Sequence, residues 1–180
     1  MGYLGKATFT LDEDREWRGR AQQCRGYPSE MKPSVAWALV GAQFGLLAGL
    51  VVLPPADLWP RTLATFVIAG ILIAAGALVA GAGGMRLGPA LTPTPIPKDG
   101  AELVTTGVYR FVRHPIYTGV LLAALGLVVL GASAGHVVGW IALFVVLSIK
   151  ASSEETMLAE RHSSYESYAK STGRLIPKFC

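Results

Sequence analysis

Charged residues are scarce in this chain. Only 16% of its 180 residues are charged and 52% are hydrophobic, whereas an ordinary soluble domain carries about 25% charged residues. The mean hydropathy is +0.44, and the apolar residues are concentrated in blocks. This composition predicts a membrane protein.

Cysteines are also few, and the two present lie far apart. Cys24 and Cys180 have no CxxC neighbour and no metal-ligand spacing, which excludes a disulfide framework and predicts no metal site. A secretory signal peptide is not indicated, because the first 30 residues are polar and the first apolar block is too long for an h-region. The length of the chain favours one domain.

Two long uncharged stretches follow a polar N-terminal arm. Residues 1–32 are polar and predict a cytosolic arm, and residues 33–84 predict two transmembrane helices. The uncharged stretches 35–53 and 62–84 are each long enough to cross a hydrocarbon layer of about 30 Å. The second is rich in alanine and glycine, which allow close helix–helix approach.

The remaining part, residues 85–180, changes character several times. Four prolines between positions 89 and 97 predict that residues 85–106 form an extended connector. The apolar stretches 116–130 and 137–149, separated by a turn, predict a helical hairpin. From Ser152 a polar, periodic segment predicts an amphipathic helix on the membrane surface. The predicted fold is therefore all-α and polytopic, with about four transmembrane helices and a C-terminal amphipathic helix.

The basic residues predict the orientation of this fold. With four spans, 15 of the 16 lysines and arginines lie on the same face as both termini, and the positive-inside rule makes that face cytoplasmic. The formal charge of +4 does not indicate a nucleic-acid partner, because the basic residues are spread over three segments beside a membrane.

The stretch "GVYRFVRHPIYTG", residues 107–119, places charged and aromatic side chains just ahead of the hairpin. Since an antiparallel hairpin returns its two ends to the same place, we expect this stretch to lie near the acidic pair Glu154 and Glu155. Arg113 offers a bidentate fork for a carboxylate, and the acidic pair offers a site for an ammonium. Together they suit a zwitterionic small molecule with an adenine-like ring, but anchoring at the membrane interface would explain the same residues.

The segments "LVTTGVYRFVRHPIYTG" and "EETMLAERHSSYESYAKSTGRLIP" resemble the two motifs of the isoprenylcysteine carboxyl methyltransferase family of integral membrane methyltransferases. The resemblance implies an S-adenosyl-L-methionine cofactor and a multi-span helical fold. It implies catalytic roles for Arg113 and Glu154 and acceptor contacts for Tyr165 and Tyr168. The residues that it assigns to cofactor binding are Leu103, Val104, Gly107, Tyr109, His114, Tyr117, Gly119 and Glu155.

The resemblance also implies a partner and a location. The acceptor would be a lipophilic molecule or lipid bearing a carboxylate, thiol, amine or hydroxyl, reached from the bilayer. The compact chain is similar to prokaryotic members, which implies the inner membrane. Val108 replaces the family's usual proline, and "RHSS" stands where eukaryotic members have a phenylalanine–glycine pair. An NADPH-dependent enzyme similar to sterol reductases and a non-catalytic membrane protein are the alternatives.

Overall fold

The computed structural model describes residues 31–97 and 102–178, and the predicted arm lies almost wholly outside them. Within these ranges the chain is helical and forms no strand, which confirms the predicted all-α class. Two single 3₁₀ turns lie between the second and third helices. The helices are α1 Pro33–Val52, α2 Leu63–Leu87, α3 Pro115–Gly131, α4 Ala134–Arg161 and α5 Tyr165–Ser171.

Three of the described helices are long and apolar enough to cross a membrane. They are α1, α2 and α4, whereas α3 has 17 residues and falls short of that length. The predicted four spans thus become three candidate spans and one shorter apolar helix. Large apolar side chains project outward from the long helices, including Val52 and Leu63, each 80% exposed. Such a surface suits contact with lipid.

Local sequence signals explain where the helices begin. Pro33 and Pro115 occupy first-turn positions of α1 and α3, where the missing N–H of proline costs nothing. Thr62 caps α2 in a reciprocal arrangement with Thr65. The hydroxyl of Ser133 accepts a hydrogen bond from the His136 amide at the start of α4.

The two short loops meet at one end of the helices. The Ala56 amide donates to the carbonyl of Gly131 over 2.9 Å, and the Trp59 indole donates to the carbonyl of Val129 over 3.0 Å. The α1–α2 loop therefore lies beside the α3–α4 turn. The other ends of all four helices, and the polar motifs, lie at the opposite end.

Small residues bring α2 and α3 into close contact. A Cβ atom added at Gly119 would clash with the backbone of Gly76 and Ala80. Glycine and alanine at these positions let the two backbones approach, as is common between membrane helices. A cluster of buried side chains then joins α1, α3 and α4, formed by Leu50, Leu121, Ala124, Leu143 and Leu147.

The C-terminal part differs from the prediction. No separate helix begins at Ser152, because α4 continues through the polar segment to Arg161. With 28 residues, α4 is about 42 Å long, so its last turns extend beyond a hydrocarbon layer of about 30 Å. The segment 152–161 contains no glycine or proline to interrupt it. Only the seven residues of α5 form a further helix.

The connector also begins later than predicted. Helix α2 continues to Leu87 and ends at Gly88, whose φ of 49° suits a residue without a side chain. Residues 91–97 are irregular, as the prolines predict.

Candidate functional site

The hairpin of α3 and α4 brings the two polar motifs together. His114 Nε2 lies 3.1 Å from Glu155 Oε1, and its Nδ1 lies 3.5 Å from Glu154 Oε2. The Tyr117 hydroxyl donates to Glu154 Oε2 over 3.1 Å. His114 precedes α3 and both glutamates lie near the end of α4, so the antiparallel packing of the two helices creates these contacts. The predicted juxtaposition is confirmed.

Glu155 is the centre of an ion-pair cluster. Its Oε1 accepts from Arg113 Nε over 2.8 Å, and its Oε2 accepts from Arg174 Nε over 2.9 Å. With His114 on the same carboxylate, three cationic or hydrogen-bonding side chains surround one acid. Only 13% of the Glu155 side chain is exposed. The geometry assigns Glu155 the task of holding the motif in place.

The C-terminal tail runs alongside the motif. The Arg113 amide donates to the carbonyl of Gly173 over 2.8 Å, and the His114 amide donates to the carbonyl of Arg174 over 3.2 Å. The Thr118 hydroxyl donates to the carbonyl of Leu175 over 2.8 Å. These bonds dock the tail against the motif, whereas the sequence predicted that this region would lie on the membrane surface.

His114 is enclosed by acidic and aromatic groups. It is 6% exposed, and its ring stacks on Tyr117 with a centroid distance of 5.3 Å. Burial alone would lower the pKa of the imidazole, but the hydrogen bonds to Glu154 and Glu155 raise the pKa above its ordinary value. The protonated form is therefore favoured by the folded structure.

A cavity of about 790 Å³ opens beside this cluster. Part of its wall is apolar, formed by side chains such as Phe44 of α1 and Leu158 of α4. Most of the residues predicted for the site also line it. They are Leu103, Val104, Tyr109, Arg113, His114, Tyr117, Glu154, Tyr165 and Tyr168.

Three predicted cofactor residues lie elsewhere. Gly119 packs against α2, and Gly107 lies beside the side chain of Arg86 with a φ of 66°. Glu155 points into the ion-pair cluster, while its neighbour Glu154 faces the cavity. The three residues therefore do not line the cavity. For Glu155 the reason is the helix period, which turns adjacent side chains about 100° apart.

Two tyrosine hydroxyls beside the cavity have different environments. The Tyr168 hydroxyl donates to the carbonyl of Tyr109 over 2.7 Å, and burial raises the pKa of Tyr168 to about 12. The hydroxyl of Tyr165 is buried and finds no hydrogen-bond partner in the described part of the chain. Buried polar groups are seldom left unpaired, so a ligand in the cavity is a natural partner for it.

Two groups of site residues were not singled out from the sequence. Arg174 belongs to the tail, and no local pattern marks it. Lys150 and Gln43 line the cavity, and here a signal was present. Lys150 is the only charged residue between positions 115 and 153, and Gln43 is the only strongly polar residue between 35 and 53. Polar groups inside apolar helices are costly and often functional.

The arrangement can bind a small molecule that carries both charges. Glu154 presents a carboxylate to the cavity. Arg113 uses Nε and Nη1 in hydrogen bonds to Glu155 and to the segment 169–172, and its Nη2 makes none to the described residues. Aromatic and aliphatic side chains line much of the rest of the cavity, so it can take a polar head and an apolar or aromatic body together.

A sequence profile described as phospholipid methyltransferase matches residues 64–164. The matched range starts in α2 and ends just before α5, so it contains the motif around His114 and both glutamates. Helix α1 and the docked tail lie outside it. No curated protein matches the chain.

Proposed function

Because this chain belongs to the phospholipid methyltransferase family, which includes isoprenylcysteine carboxyl methyltransferase-like membrane enzymes, we propose that it transfers a methyl group from S-adenosyl-L-methionine to a lipophilic acceptor. Membership implies a membrane methyltransferase.

One observation carries it: the cavity wall holds an acidic and a basic group, Glu154 and Arg113, together with many apolar and aromatic side chains. Its volume of about 790 Å³ falls within the range of about 300–1,000 Å³ that is usual for small-molecule sites. The Tyr165 hydroxyl and Nη2 of Arg113, which have no hydrogen-bond partner among residues 31–97 and 102–178, are donors that such a ligand would satisfy. The residues present therefore fit an amino-acid nucleoside.

The side chains suggest a division of roles. Glu154 would hold the ammonium of the cofactor, and Arg113 would hold its carboxylate through Nη2. Leu103, Val104 and Tyr109 line the same cavity and would contact the adenine ring. Tyr168, which also lines the cavity, would contact the acceptor.

S-adenosyl-L-methionine, when bound, supplies a methyl group on a sulfonium that is reactive enough to need little acid–base assistance. The work of the protein is then to orient the reactants and to exclude water. The ion-pair cluster around Glu155 keeps Arg113 and His114 in fixed positions. We therefore assign His114 and Glu155 as positioning residues and Glu154 and Arg113 as the residues that meet the ligand.

The proposed location is the inner membrane of a prokaryote, with the cavity on the cytoplasmic side. Support comes from the charge distribution, because 15 of the 16 lysines and arginines belong to segments at the cavity end of the helices or to the polar arm. The positive-inside rule assigns such a face to the cytoplasm. Labelling of cysteines introduced at Asp57 and at Lys170 in intact cells tests this orientation.

Family membership favours methyl transfer over the NADPH-dependent and non-catalytic alternatives. Isothermal titration of the detergent-purified protein with S-adenosylhomocysteine and with NADPH separates the three. We expect binding of S-adenosylhomocysteine alone. Binding of NADPH alone would establish the reductase, and binding of neither would favour the non-catalytic protein.

A matched pair of variants tests the site itself. Glu154→Gln removes the carboxylate that faces the cavity, and we expect S-adenosylhomocysteine affinity to fall by about tenfold to a hundredfold, the worth of a hydrogen bond to a charged group. Glu160→Gln makes the same change on an exposed position of α4 and should leave the affinity unchanged. If the two variants bound S-adenosylhomocysteine with equal affinity, Glu154 would not be part of the binding site.

A further inference from the structure

Lys150 is a lysine buried within an apolar helix. It is 2% exposed, and its ammonium donates to Gln43 Oε1 over 2.6 Å and to the carbonyl of Pro93 over 3.2 Å. It also lies 5.3 Å from the centroid of the Tyr117 ring. These contacts join α4 to α1, to the connector and to α3.

Among the described residues, no carboxylate lies within ion-pair distance of the Lys150 ammonium. Glu154, one helical turn further along α4, lines the same cavity and acts on the ammonium only at longer range. An ammonium has three N–H donors, and two are used. Burying a cation without an anion is costly, so an anionic partner would stabilise this site.

The position of Lys150 within the cavity indicates what that partner is. Lys150 precedes Glu154 by four residues, which places it about 6 Å nearer to the α3–α4 turn end of the helices. The wall of the same cavity includes Phe44, which follows Gln43 in α1, and Leu91 of the connector, which contributes Pro93 to the contacts of Lys150. An anion held here would therefore lie on the membrane side of the polar cluster, next to apolar surface.

We propose that Lys150 and Gln43 form an anion-recognition site for the acceptor, which is an amphiphile with a carboxylate or phosphate group and an apolar tail. The ammonium binds an oxyanion oxygen through its remaining donor, and the Gln43 amide N–H donates to a second oxygen. The tail packs along the apolar wall. The identification of this anionic amphiphile as the methyl acceptor rests on the proposed function, whereas the anion site itself does not.

The matched range supports a role in choosing the acceptor. Lys150 lies inside residues 64–164, while Gln43 belongs to α1 and lies outside. The residues assigned to the cofactor, from Leu103 to Glu155, lie within the part shared with the family, whereas Gln43 does not. A residue pair that selects the acceptor is expected to include a residue outside the shared part.

The test compares ligands with identical tails. The full chain is purified in a non-ionic maltoside detergent, which carries no phosphate or carboxylate, and binding of dodecanoate, dodecyl phosphate, dodecanol and inorganic phosphate is measured by titration. We expect the two anionic amphiphiles to bind at least about tenfold more tightly than dodecanol, since hydrogen bonds to charged groups are worth that factor or more. Inorganic phosphate should not compete with dodecyl phosphate at equal concentration.

Three variants attribute the preference to Lys150. Lys150→Met should bind the anionic amphiphiles and dodecanol alike, while Lys150→Arg should keep the preference. Gln43→Glu places a carboxylate against the ammonium with almost no change in volume, so it should also abolish the preference. This variant keeps the test decisive if Lys150→Met does not fold.

The outcomes are distinct. Retention of the anion preference in Lys150→Met or Gln43→Glu would overturn the inference, because the oxyanion would then bind elsewhere. Effective competition by inorganic phosphate would also overturn it, since the site would serve a soluble anion. S-adenosylhomocysteine binding by the parent protein is measured in parallel. Loss of the preference with no S-adenosylhomocysteine binding in the parent protein would support the anion site while removing the proposed function.

Discussion

Changing each of the adjacent residues Glu154 and Glu155 to glutamine is predicted to have different effects, one on ligand binding and the other on stability. Glu155 accepts hydrogen bonds from Arg113, His114 and Arg174, and its side chain is 13% exposed. Glu154 is 29% exposed, contacts His114 and Tyr117, and faces the cavity. The first is thus a structural centre and the second is a binding group.

The magnitudes follow from these environments. Glu155→Gln leaves two buried cationic side chains without their anion, and breaking such a buried pair costs about 3–5 kcal/mol. Glu154→Gln weakens one hydrogen bond from Tyr117, which is worth about 1 kcal/mol, and a longer contact of 3.5 Å with His114, which keeps Glu155 as its nearer acid. We therefore expect Glu155→Gln to lower the free energy of unfolding several times more than Glu154→Gln does.

The assay combines two measurements on each purified variant. Thermal unfolding in detergent reports stability, and titration with S-adenosylhomocysteine at a temperature where both variants are folded reports binding. Glu154→Gln should unfold close to the parent and bind weakly, whereas Glu155→Gln should unfold earlier. If Glu154→Gln proved the less stable variant, or bound as tightly as the parent, the division of roles between the two glutamates would be refuted.

Three further predictions concern packing, pH and the unpaired hydroxyl. Gly119→Ala should lower the free energy of unfolding by about 1–3 kcal/mol because its methyl group meets the backbone of Gly76, while Gly70→Ala, which meets nothing within 4 Å, should not. The pKa of His114 is raised above its ordinary value of 6.5, so its contribution to stability is complete below that pH and is lost as the pH rises through the folded-state pKa. Thermal unfolding temperatures should therefore fall as the pH is raised from about 6 to about 9, and less so in His114→Gln. Tyr165→Phe removes a buried hydroxyl that has no partner among the residues that the structure describes, so it should raise the unfolding temperature of the ligand-free protein yet weaken S-adenosylhomocysteine binding in titration.

Each of these predictions can fail clearly. Equal stability of Gly119→Ala and Gly70→Ala would mean that α2 and α3 do not pack closely at Gly76. A stability profile that rises with pH above 6.5 would mean that His114 is neutral in the folded state. A destabilised Tyr165→Phe in the absence of ligand would mean that the hydroxyl already has a partner.

The helices were predictable because their signals are local. A single long uncharged stretch can pair its own backbone N–H and C=O groups in lipid only as a helix. The prolines at positions 33 and 115 mark where two of these helices begin. The contact between His114 and the acidic pair was predictable for a related reason. A short turn forces two consecutive helices to run antiparallel, so the start of one must lie beside the end of the next.

The length of α4 was harder to predict. A polar segment after an apolar one indicates a change of environment, which predicts a new helix at Ser152. The backbone, however, breaks only at residues 162–164. A helix can leave the apolar layer without interruption, since its hydrogen bonds do not depend on what surrounds it.

The sequence by itself determined the apolar helices, the antiparallel hairpin and the membership in a methyltransferase family, since each depends on residues close together in the chain or on a motif. The tertiary structure decided which of two adjacent glutamates faces the cavity, that Gly119 belongs to a helix contact, and that Arg174 completes the cluster. It also paired Lys150 with Gln43, 107 residues away. Such pairings depend on the rotation and spacing of packed helices, which no local pattern encodes.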